Sequence, residues 1–322
     1  MELIQPLVSI LMPAYNAEQY IAKSIECILN QTYENWELLI ADDASKDGTR
    51  RIIEQYNDNR ILTFHNKKNQ GYLETWNKLI GKATGSFITF LDADDLCSLN
   101  RIEILLNTFK NNPDLGAVGS NYNRIDDHGN FKETSNFPLK HDEIKDAMPQ
   151  EFHFIGSALM IRKEVYESIG AYHTFFNRMG AEDHYWVYLI SEKFKICNVQ
   201  EALYSYRFNE HSVTGNIANN PSKINVPIIL NHLINQRRAT GTDDLESGKI
   251  DELKKMLNAL NKPFETDPSY YYYYVAKRRF YEGHRKIALR NILRSIICSP
   301  LKLNYYKDFF FFLKTKIKIS EK

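Results

Sequence analysis

The 322-residue sequence predicts an α/β fold, in which a mainly parallel mixed sheet is flanked by helices, with a helical C-terminal extension. Over the first half of the chain, short apolar runs alternate with segments whose apolar residues recur at helical spacing. Such an alternation builds a parallel sheet with a crossover helix between successive strands. Beyond about Pro221 no strand pattern persists. We therefore predict an α/β domain over residues 1–220 and a helical, basic extension over residues 221–322.

The first strand and the first helix show how each element is predicted. Residues 8–12 form a short apolar run that Pro13 stops, as expected of a buried strand. Asn16 is a good N-cap residue, and the segment after it has apolar residues on one helical face. By the same criteria, further strands are predicted at residues 36–41, 61–64, 86–91, 117–124, 152–161, 195–199 and 202–206. Further helices are predicted at residues 49–56, 72–83, 100–111, 163–169, 182–191 and 284–297.

Carboxylates cluster directly after two of these strands and at the start of one helix. Asp43 follows the second strand, Asp92, Asp94 and Asp95 follow the fourth, and Asp183 opens a later helix. Because ligands of such sheets bind beyond the carboxyl ends of the strands, these groups should face the binding crevice. Hard oxygen ligands grouped in this way suit Mg²⁺ or Mn²⁺, and a divalent ion would offset their mutual repulsion.

Each of these carboxylates also has a purely structural explanation. Asp43 and Ser45 could cap the helix that follows them. The aspartates after the fourth strand could lie in a solvated loop, and acidic residues such as Asp183 are common in first helical turns. Taken one at a time, the motifs leave both explanations open.

The order of the motifs resembles that of the inverting family 2 glycosyltransferases, which have the GT-A fold. Five blocks occur in the family's order over about residues 7–215, and five ordered blocks are more specific than any single motif. The resemblance implies a GT-A-like sheet in the first domain. The blocks are VSILMPAYN at 8–16; QTY at 31–33 with ELLIADDASKDGT at 37–49; NQG at 69–71 with Asn77, ATG at 83–85 and FLDADD at 90–95; ED at 182–183; and YSYR at 204–207.

The resemblance also implies a nucleotide-sugar donor and a divalent ion, Mn²⁺ or Mg²⁺, at the sheet edge. Asp94 would coordinate the ion that bridges the donor's diphosphate, and Asp183 would be the general base. Asp43 would hydrogen-bond the nucleotide base, whereas Asp92 would contact the ribose or the surroundings of the ion. The residues implied to bind the donor are Pro13, Tyr15, Asn16, Asp43, Asn69, Gly71, Asn77, Asp92 and Ala93.

These residue types suit sugar transfer. The leaving diphosphate needs its developing charge stabilised, which a metal ion does, and the acceptor hydroxyl must lose a proton, which a carboxylate can accept. Attack opposite the leaving group inverts the anomeric configuration, so Asp183 should lie across the sugar from the metal. We expect a metal-dependent inverting hexosyltransferase that moves a sugar, with UDP as the expected nucleotide, to a hydroxyl of a glycan or lipid-linked acceptor in cell-surface polysaccharide synthesis.

Other functional classes fit less well. The alternative is a catalytically inactive protein of the same fold that binds sugar nucleotides or glycans, and the presence of Asp94 and Asp183 argues against it. A nucleotidylyltransferase should carry a Gly- and Arg-rich phosphate loop after the first strand, and a dinucleotide-dependent dehydrogenase a G-x-G-x-x-G motif. The chain has PAYN at residues 13–16 instead.

Two positions depart from the family pattern. Asn209 stands where many relatives have a histidine that helps to bind the ion or the diphosphate, so Asn209, His211 or a water would have to complete the metal site. Trp76 stands where many relatives have an arginine before the asparagine that matches Asn77. A cation contact to the donor would then have to come from elsewhere, for example from Lys46 or Arg50.

The C-terminal segment is basic although the net charge of the whole chain is only +1. Residues 275–322 contain 13 lysines and arginines against 3 acidic residues, and Arg290 and Arg294 border the apolar face of the helix predicted at residues 284–297. Two compatible interpretations are open: a helix that lies on an anionic membrane surface, or a helical cap with its charges in water. No nucleic-acid-binding motif accompanies the charge, so no nucleic-acid partner is expected.

Cysteine spacing and hydropathy address the cellular location. The four cysteines are far apart and form no C-x-x-C, which supports neither a structural zinc site nor a disulfide framework. Residues 1–6 lack the pattern of a signal peptide, and no run of about 18 apolar residues occurs. We expect a cytoplasmic protein. Whether it also attaches peripherally to the inner face of the membrane is left open by the sequence.

Overall fold

A computed structural model describes residues 5–148, 151–208, 220–281 and 283–315. The chain divides into two compact units. The first comprises Met1–Asn216 with Val226–Ser247, and the second Ile217–Asn225 with Gly248–Lys322. The division into functional domains at residues 1–220 and 221–322 stays a prediction.

The described part of the first unit contains a nine-stranded sheet in the order β3-β2-β1-β4-β8-β6-β9-β5, with β7 paired to β6. The strands are β1 (Val8–Ala14), β2 (Trp36–Asp42), β3 (Ile61–His65), β4 (Phe87–Phe90), β5 (Leu96–Cys97), β6 (Leu115–Ile125), β7 (Phe131–Thr134), β8 (Met160–Arg162) and β9 (Lys195–Arg207).

One half of the sheet is parallel and the other is mixed. Strand β1 pairs in parallel with β2 and β4, and β2 with β3. Every residue of β1 and β2 is buried, as expected for central parallel strands covered on both faces. Strand β8 runs antiparallel to β4 and β6, whereas β9 runs parallel to β6. The parallel half brings the carboxyl ends of β1, β2 and β4 to one edge.

All seven predicted helices are present, several of them with shorter bounds, and the helices at residues 141–147, 221–240, 250–266, 268–281 and 303–314 were not individually predicted. Helix α8 joins the first unit from Val226 onward. The helices are α1 (Ile21–Leu29), α2 (Thr49–Ile53), α3 (Tyr72–Ile80), α4 (Arg101–Asn111), α5 (His141–Ala147), α6 (Lys163–Ile169), α7 (Glu182–Lys193), α8 (Pro221–Thr240), α9 (Ile250–Thr266), α10 (Pro268–Tyr281), α11 (Arg285–Cys298) and α12 (Leu303–Lys314).

The prediction that Asn16 caps the first helix is wrong. Helix α1 begins at Ile21, and Asn16 has a left-handed backbone with φ 50°. Its side-chain oxygen accepts a hydrogen bond from the backbone N–H of Lys46 at 2.8 Å, and its own N–H donates to Ser45 Oγ at 3.0 Å. Asn16 therefore joins the loop after β1 to the loop after β2, because its short polar side chain satisfies backbone groups of that second loop rather than of a helix.

The predicted strand at residues 152–161 is also wrong for most of its length. Only Met160–Arg162 is a strand, and Gly156–Ala158 forms a 3₁₀ turn. The predicted strands at residues 195–199 and 202–206 instead form the single strand β9, whose pairing with β6 shifts register near Ser120 and Asn121. Such irregularities let one strand continue through a break in its apolar pattern.

Arg101 connects the end of β4 to the 3₁₀ turn. The residue is 1% exposed, and its guanidinium donates to the carbonyl of Phe90, to Thr89 Oγ1 and to the carbonyl of Ser157, each at 2.9 Å. These bonds satisfy groups that would otherwise be buried without a partner. Arg101 thus fixes the turn against the strand that carries the aspartate cluster.

Arg101→Met is expected to destabilise the protein by about 3 kcal/mol, because it leaves several buried acceptors without a donor. Urea unfolding measures this change. Arg50→Met is the control, since the Arg50 side chain is 58% exposed and pairs only with Glu54 at 2.8 Å among the salt bridges of the described residues. A loss below about 1 kcal/mol for Arg101→Met would show that water replaces the lost donors.

The second unit has a small aromatic core of its own. Phe280 stacks on Phe312 with ring centroids 4.1 Å apart, and Tyr273 stacks on Tyr305 at 4.5 Å. Asp267 accepts hydrogen bonds from the hydroxyl of Ser269 at 2.6 Å and from Lys302. The buried core residues are Ala276, Phe280, Ala288, Ile292, Tyr305 and Phe312.

Candidate active site

The carboxyl ends of β1, β2 and β4 form the edge at which the predicted site residues meet. Leu11 is paired with Phe90 and Ala14 with Asp42. The ladder continues past the strands, since the N–H of Leu91 donates to Leu11 at 3.1 Å and the N–H of Asp43 to Ala14 at 2.8 Å. The register therefore places the chain that follows each strand at the same edge, as predicted.

The residues after β1 differ in their exposure. Pro13 is buried in the strand, whereas Tyr15 is 45% exposed. The ring of Tyr15 is therefore accessible at this edge of the sheet. Asn16, which holds the neighbouring loop, is exposed beside it. The nucleoside contacts of these three residues stay a prediction.

Asp43 orders the loop that contains Asn69 and Gly71. Its buried carboxylate accepts hydrogen bonds from Asn66 Nδ2 at 2.8 Å, from the N–H of Gln70 at 2.9 Å and from the N–H of Gly71 at 2.8 Å. Asn69 Nδ2 reaches the carbonyl of Asp43 at 3.4 Å. Gly71 has φ 95°, a backbone conformation that favours glycine. A further hydrogen bond from Asp43 to a nucleotide base stays a prediction.

Asp92 is held from three sides. Its Oδ2 accepts from Ser157 Oγ at 2.8 Å, its N–H donates to the hydroxyl of Tyr204 at 3.2 Å, and the hydroxyl of Tyr72 also bonds its carboxylate. Burial first, and then the charges of Asp94 and Asp183, raise the pKa of Asp92 to about 7, although the hydrogen bonds from Ser157 and Tyr72 oppose the rise. These couplings show that the carboxylates of the aspartate cluster and of Asp183 lie in one electrostatic environment.

Asp94 lies between Asp92 and a buried arginine. Burial raises the pKa of Asp94, and the positive charge of Arg207 opposes the rise. Arg207 is 3% exposed, its Nε donates to the carbonyl of Asp94 at 2.7 Å, and its Nη1 donates to the carbonyls of Asp126 and Asp127 at 2.8 and 3.0 Å. Arg207 therefore fixes the main chain at Asp94 and leaves the carboxylate to another partner.

Asp95, to which the sequence assigned no role, attaches β9 to the aspartate cluster. It is 1% exposed and accepts from the hydroxyl of Tyr204 at 2.7 Å and from the N–H of Arg207 at 2.6 Å. Burial raises its pKa well above the usual range. On the other side, Ser24 Oγ donates to the carbonyls of Ala93 and Asp95 at 3.0 and 2.8 Å. In this structure Ala93 therefore contributes its carbonyl group as a hydrogen-bond acceptor.

Asp183 lies in the first turn of α7, and the loop that precedes this helix has a strained backbone. Arg178 and Ala181 have left-handed φ values of 64° and 69°, which are uncommon for residues other than glycine. The Asp183 carboxylate accepts from the N–H of His184 at 2.8 Å and from the N–H of Gly156. Burial raises its pKa. A carboxylate held by backbone donors at the start of a helix is fixed in position before any ligand arrives.

The 3₁₀ turn at Gly156–Ala158 joins the two halves of the site. Gly156 donates to Asp183, and the next residue, Ser157, donates to Asp92. Sequence reasoning missed both residues, and it missed Tyr72, because none of them carries an ionised group or a spaced motif. The only available signal was a Gly-Ser pair that interrupts an apolar run.

Gly156→Ala is expected to lower both stability and transfer activity. A Cβ at this position would lie 2.8 Å from the Cβ and from Oδ2 of Asp183, so either the turn or the carboxylate must move. Overpacking of this kind costs about 1–3 kcal/mol, measured by thermal unfolding. Gly81→Ala is the control, because its Cβ would meet its nearest atoms at 3.7 Å. Equal melting temperatures for the two variants would contradict the close approach.

Asn77 and Trp76 face the interior in this structure. Asn77 Nδ2 donates to the carbonyl of Tyr172 at 2.8 Å and its Oδ1 accepts from the N–H of Tyr172 at 3.0 Å. Trp76 is fully buried and stacks on Tyr172 and Phe90 with centroids 3.9 and 4.5 Å apart. Trp76 is therefore a core residue that supports the end of β4. A donor contact by Asn77 stays a prediction.

The donor set fits a divalent ion only in part. Among the described residues, no group of three or more His, Cys, Asp or Glu side chains is placed to hold a metal ion. Asn209 and His211, which the sequence offered as further ligands, lie outside the described residues. Asp94 with Asp92 supplies the one or two carboxylates with which Mg²⁺ is commonly bound when substrate phosphates complete the shell. An ion at this position would therefore need further ligands from a bound phosphate group or from water, and metal binding by Asp94 stays a prediction.

The sequence is similar to those of known proteins. The sequence model of Glycosyl transferase family 2 matches residues 9–170. The chain belongs to this family. EpsE of Bacillus subtilis (strain 168) is 32% identical over 229 residues, which cover 66% of this chain and 79% of EpsE. The UDP-Glc:alpha-D-GlcNAc-diphosphoundecaprenol beta-1,3-glucosyltransferase WfgD of Escherichia coli is 42% identical over 123 residues, 38% of this chain and 48% of WfgD.

A solved structure confirms the predicted GT-A-like fold of this family 2 glycosyltransferase. The crystal structure of S. aureus TarS 1–349 in complex with UDP-GlcNAc matches with a TM-score of 0.60 at 17% identity, and the match covers 89% of this chain and 81% of that one. At this identity the likeness shows the fold alone. The roles of individual site residues are not carried over from it.

Proposed function

We propose that this glycosyltransferase moves a sugar from a UDP-linked donor to a hydroxyl of a glycan or lipid-linked acceptor, with inversion at the anomeric carbon. Asp183 is the general base, and Asp94 holds a Mn²⁺ or Mg²⁺ ion against the diphosphate. The hydrogen bonds from Gly156 to Asp183 and from Ser157 to Asp92 carry the proposal. They attach two carboxylates that are far apart in the chain to the same short turn.

The residues divide into a donor side and an acceptor side. On the donor side, the edge formed by Tyr15, the loop at Asn69 and the aspartate cluster would receive the nucleoside and the diphosphate. On the acceptor side, Asp183 would accept the proton of the attacking hydroxyl. A base fixed by two backbone N–H groups needs little reorganisation at the moment of attack.

The ion would be held by Asp94, with Asp92 nearby and the diphosphate completing the coordination. When bound, it would supply positive charge to the diphosphate as the bond to the sugar breaks. The protein also positions Asp94 for this role. Arg207 Nε donates a hydrogen bond of 2.7 Å to the carbonyl of Asp94, which fixes the main chain at Asp94 before the ligand binds.

The choice of donor and acceptor is supported by the names of similar proteins. WfgD is named as a UDP-Glc glucosyltransferase with a diphosphoundecaprenol acceptor, and TarS was crystallised with UDP-GlcNAc. These names favour a uridine nucleotide and a lipid-linked acceptor, and hence a role in cell-surface polysaccharide synthesis. A cytoplasmic location stays a prediction.

A thermal-shift screen tests the proposal. The protein is heated with UDP-glucose, UDP-N-acetylglucosamine, UDP-galactose or GDP-mannose, each with and without Mn²⁺. A ligand that binds only the folded state raises the melting temperature, so a UDP-sugar should stabilise the protein in the presence of Mn²⁺ and less without it. Stabilisation by no UDP-sugar would overturn the donor assignment. Stabilisation without hydrolysis or transfer would favour the inactive binding protein instead.

A further inference from the structure

Large apolar side chains are exposed at the C-terminal end of the second unit. Ile297 is 77% exposed, Leu301 92% and Leu303 73%. Single exposed apolar residues are normal on protein surfaces, whereas contiguous exposed apolar patches mark interaction sites. These three lie at the end of α11, in the link after it and at the start of α12.

Helix α11 has two distinct faces. Ala288, Ile292 and Ser295 are buried, and the first two belong to the core of the unit. At 3.6 residues per turn, the opposite face collects alternating apolar and basic side chains, all of them exposed. We call this the basic-apolar face; its residues are Lys286, Ile287, Arg290, Leu293, Arg294 and Ile297. Packing within the unit therefore explains the buried side of the helix, and on the other side the Arg294 guanidinium lies 5.8 Å from the centroid of the Tyr272 ring.

The charge around this face is mainly positive. Residues 275–315 contain ten lysines and arginines and two acidic residues, Glu282 and Asp308. Asp308 accepts a hydrogen bond from the hydroxyl of Tyr273 at 2.7 Å. The basic-apolar face itself has three cations and no carboxylate. Two copies of such a face would repel each other, so the pattern does not favour self-association through it.

We propose that the basic-apolar face of α11 docks the protein on an anionic lipid membrane. Ile287, Leu293 and Ile297 would enter the boundary between headgroups and acyl chains, while the basic side chains contact lipid phosphates. None of the described helices is long and apolar enough to cross a bilayer. The proposal does not rest on the glycosyltransferase activity.

Vesicle co-sedimentation of the full-length protein tests the docking. Vesicles of phosphatidylcholine alone are compared with vesicles that also contain phosphatidylglycerol. The protein should partition onto the anionic vesicles, with much weaker binding to the neutral ones, and added salt should reduce the binding because it screens exposed charges. Equal binding to both kinds of vesicle, or no binding to either, would overturn the proposal.

Two pairs of variants assign the binding to the basic-apolar face. Arg290→Glu/Arg294→Glu should lower the partition coefficient by roughly 30-fold or more, given the usual contribution of each basic residue near an anionic surface. Its control is Lys254→Glu/Lys255→Glu, which makes the same charge change at two exposed residues of α9. Ile297→Asp should also weaken binding, and Phe131→Asp on β7, where Phe131 is 62% exposed, should not.

Three results would count against the assignment. Equal losses for the two charge variants would mean that overall charge, not this face, drives binding. Unchanged vesicle binding in Ile297→Asp would remove the apolar contact. Unchanged vesicle binding with a shift in oligomeric state for Ile297→Asp would make the face a protein interface. Thermal unfolding of each variant and transfer to a water-soluble acceptor show separately whether the fold and the proposed catalytic function persist.

Discussion

Asp183→Asn is expected to lower the rate of sugar transfer by about 10³-fold or more and to leave donor affinity nearly unchanged. The amide has the shape of the carboxylate and can still accept the hydrogen bond from the N–H of His184, which is 2.8 Å long in the native site. It cannot take up the proton of an acceptor hydroxyl. General base catalysis contributes about 10²–10⁴-fold in enzymes, so its loss should dominate the kinetics.

Donor binding and transfer must be measured separately for this variant. Isothermal titration with the UDP-sugar gives the affinity, and product formation at saturating donor gives the rate. Asp142→Asn is the matched control, because Asp142 is an exposed aspartate in the first turn of another helix of the same unit, α5. A transfer rate within tenfold of the native protein would remove Asp183 as the base. A large loss of donor affinity would instead give it a binding role.

Asp94→Ala is expected to abolish the Mn²⁺-dependent part of donor binding, which we put at about 10²-fold or more in affinity. The variant removes a carboxylate proposed to hold the ion, and removing one ligand exposes the diphosphate charge to the remaining acidic side chains. The main chain should persist, because Arg207 Nε bonds the carbonyl of residue 94 and not its side chain. The effect should therefore appear in binding rather than in stability.

The test compares donor affinity with Mn²⁺ and with a chelator. Native protein should lose affinity when the ion is removed, whereas Asp94→Ala should bind equally weakly in both conditions. Asp127→Ala is the control, since Asp127 is an exposed aspartate whose carbonyl contacts the same arginine, Arg207, at 3.0 Å. Unchanged, Mn²⁺-dependent affinity in Asp94→Ala would overturn the metal assignment and leave the aspartate cluster with its structural bonds alone.

Asp183 and Asp94 are held in position in different ways, so the effects of the two variants can be distinguished. Asp183 is fixed by backbone donors from Gly156 and His184, so replacing its charge should leave its position nearly intact. Asp94 is fixed through its main chain, so truncating its side chain should leave the loop intact. Each variant therefore removes one chemical group with little displacement of the other.

Much of the α/β half was predictable from the sequence. Parallel strands buried on both faces must be apolar throughout, and the residue that follows such a strand lies at a known edge. That rule predicts Asp43, Asp92 and Asp94 at one edge of the sheet. The structure pairs Leu11 with Phe90 and Ala14 with Asp42, so the loops that follow β1, β2 and β4 are neighbours at that edge.

The partners of these aspartates were not predictable. Asp95 bonds Tyr204 and Arg207, more than a hundred residues away in the chain, and Asp43 bonds the loop at Gly71. Hydrogen bonds of this kind have no sequence period, because they depend on which side of a loop faces which strand. The same holds for Asn16, a good helix cap by composition, which satisfies Lys46 instead.

By itself, the sequence determined the sheet with its acidic edge, the family, and the basic character of the C-terminal helices, because periodicity, order of motifs and charge are local properties. Only the tertiary structure decided that Gly156 and Ser157 join Asp183 to Asp92, that Trp76 is a core residue, and that one face of α11 is left uncovered. These outcomes depend on contacts between distant segments, where burial and steric fit select the partner.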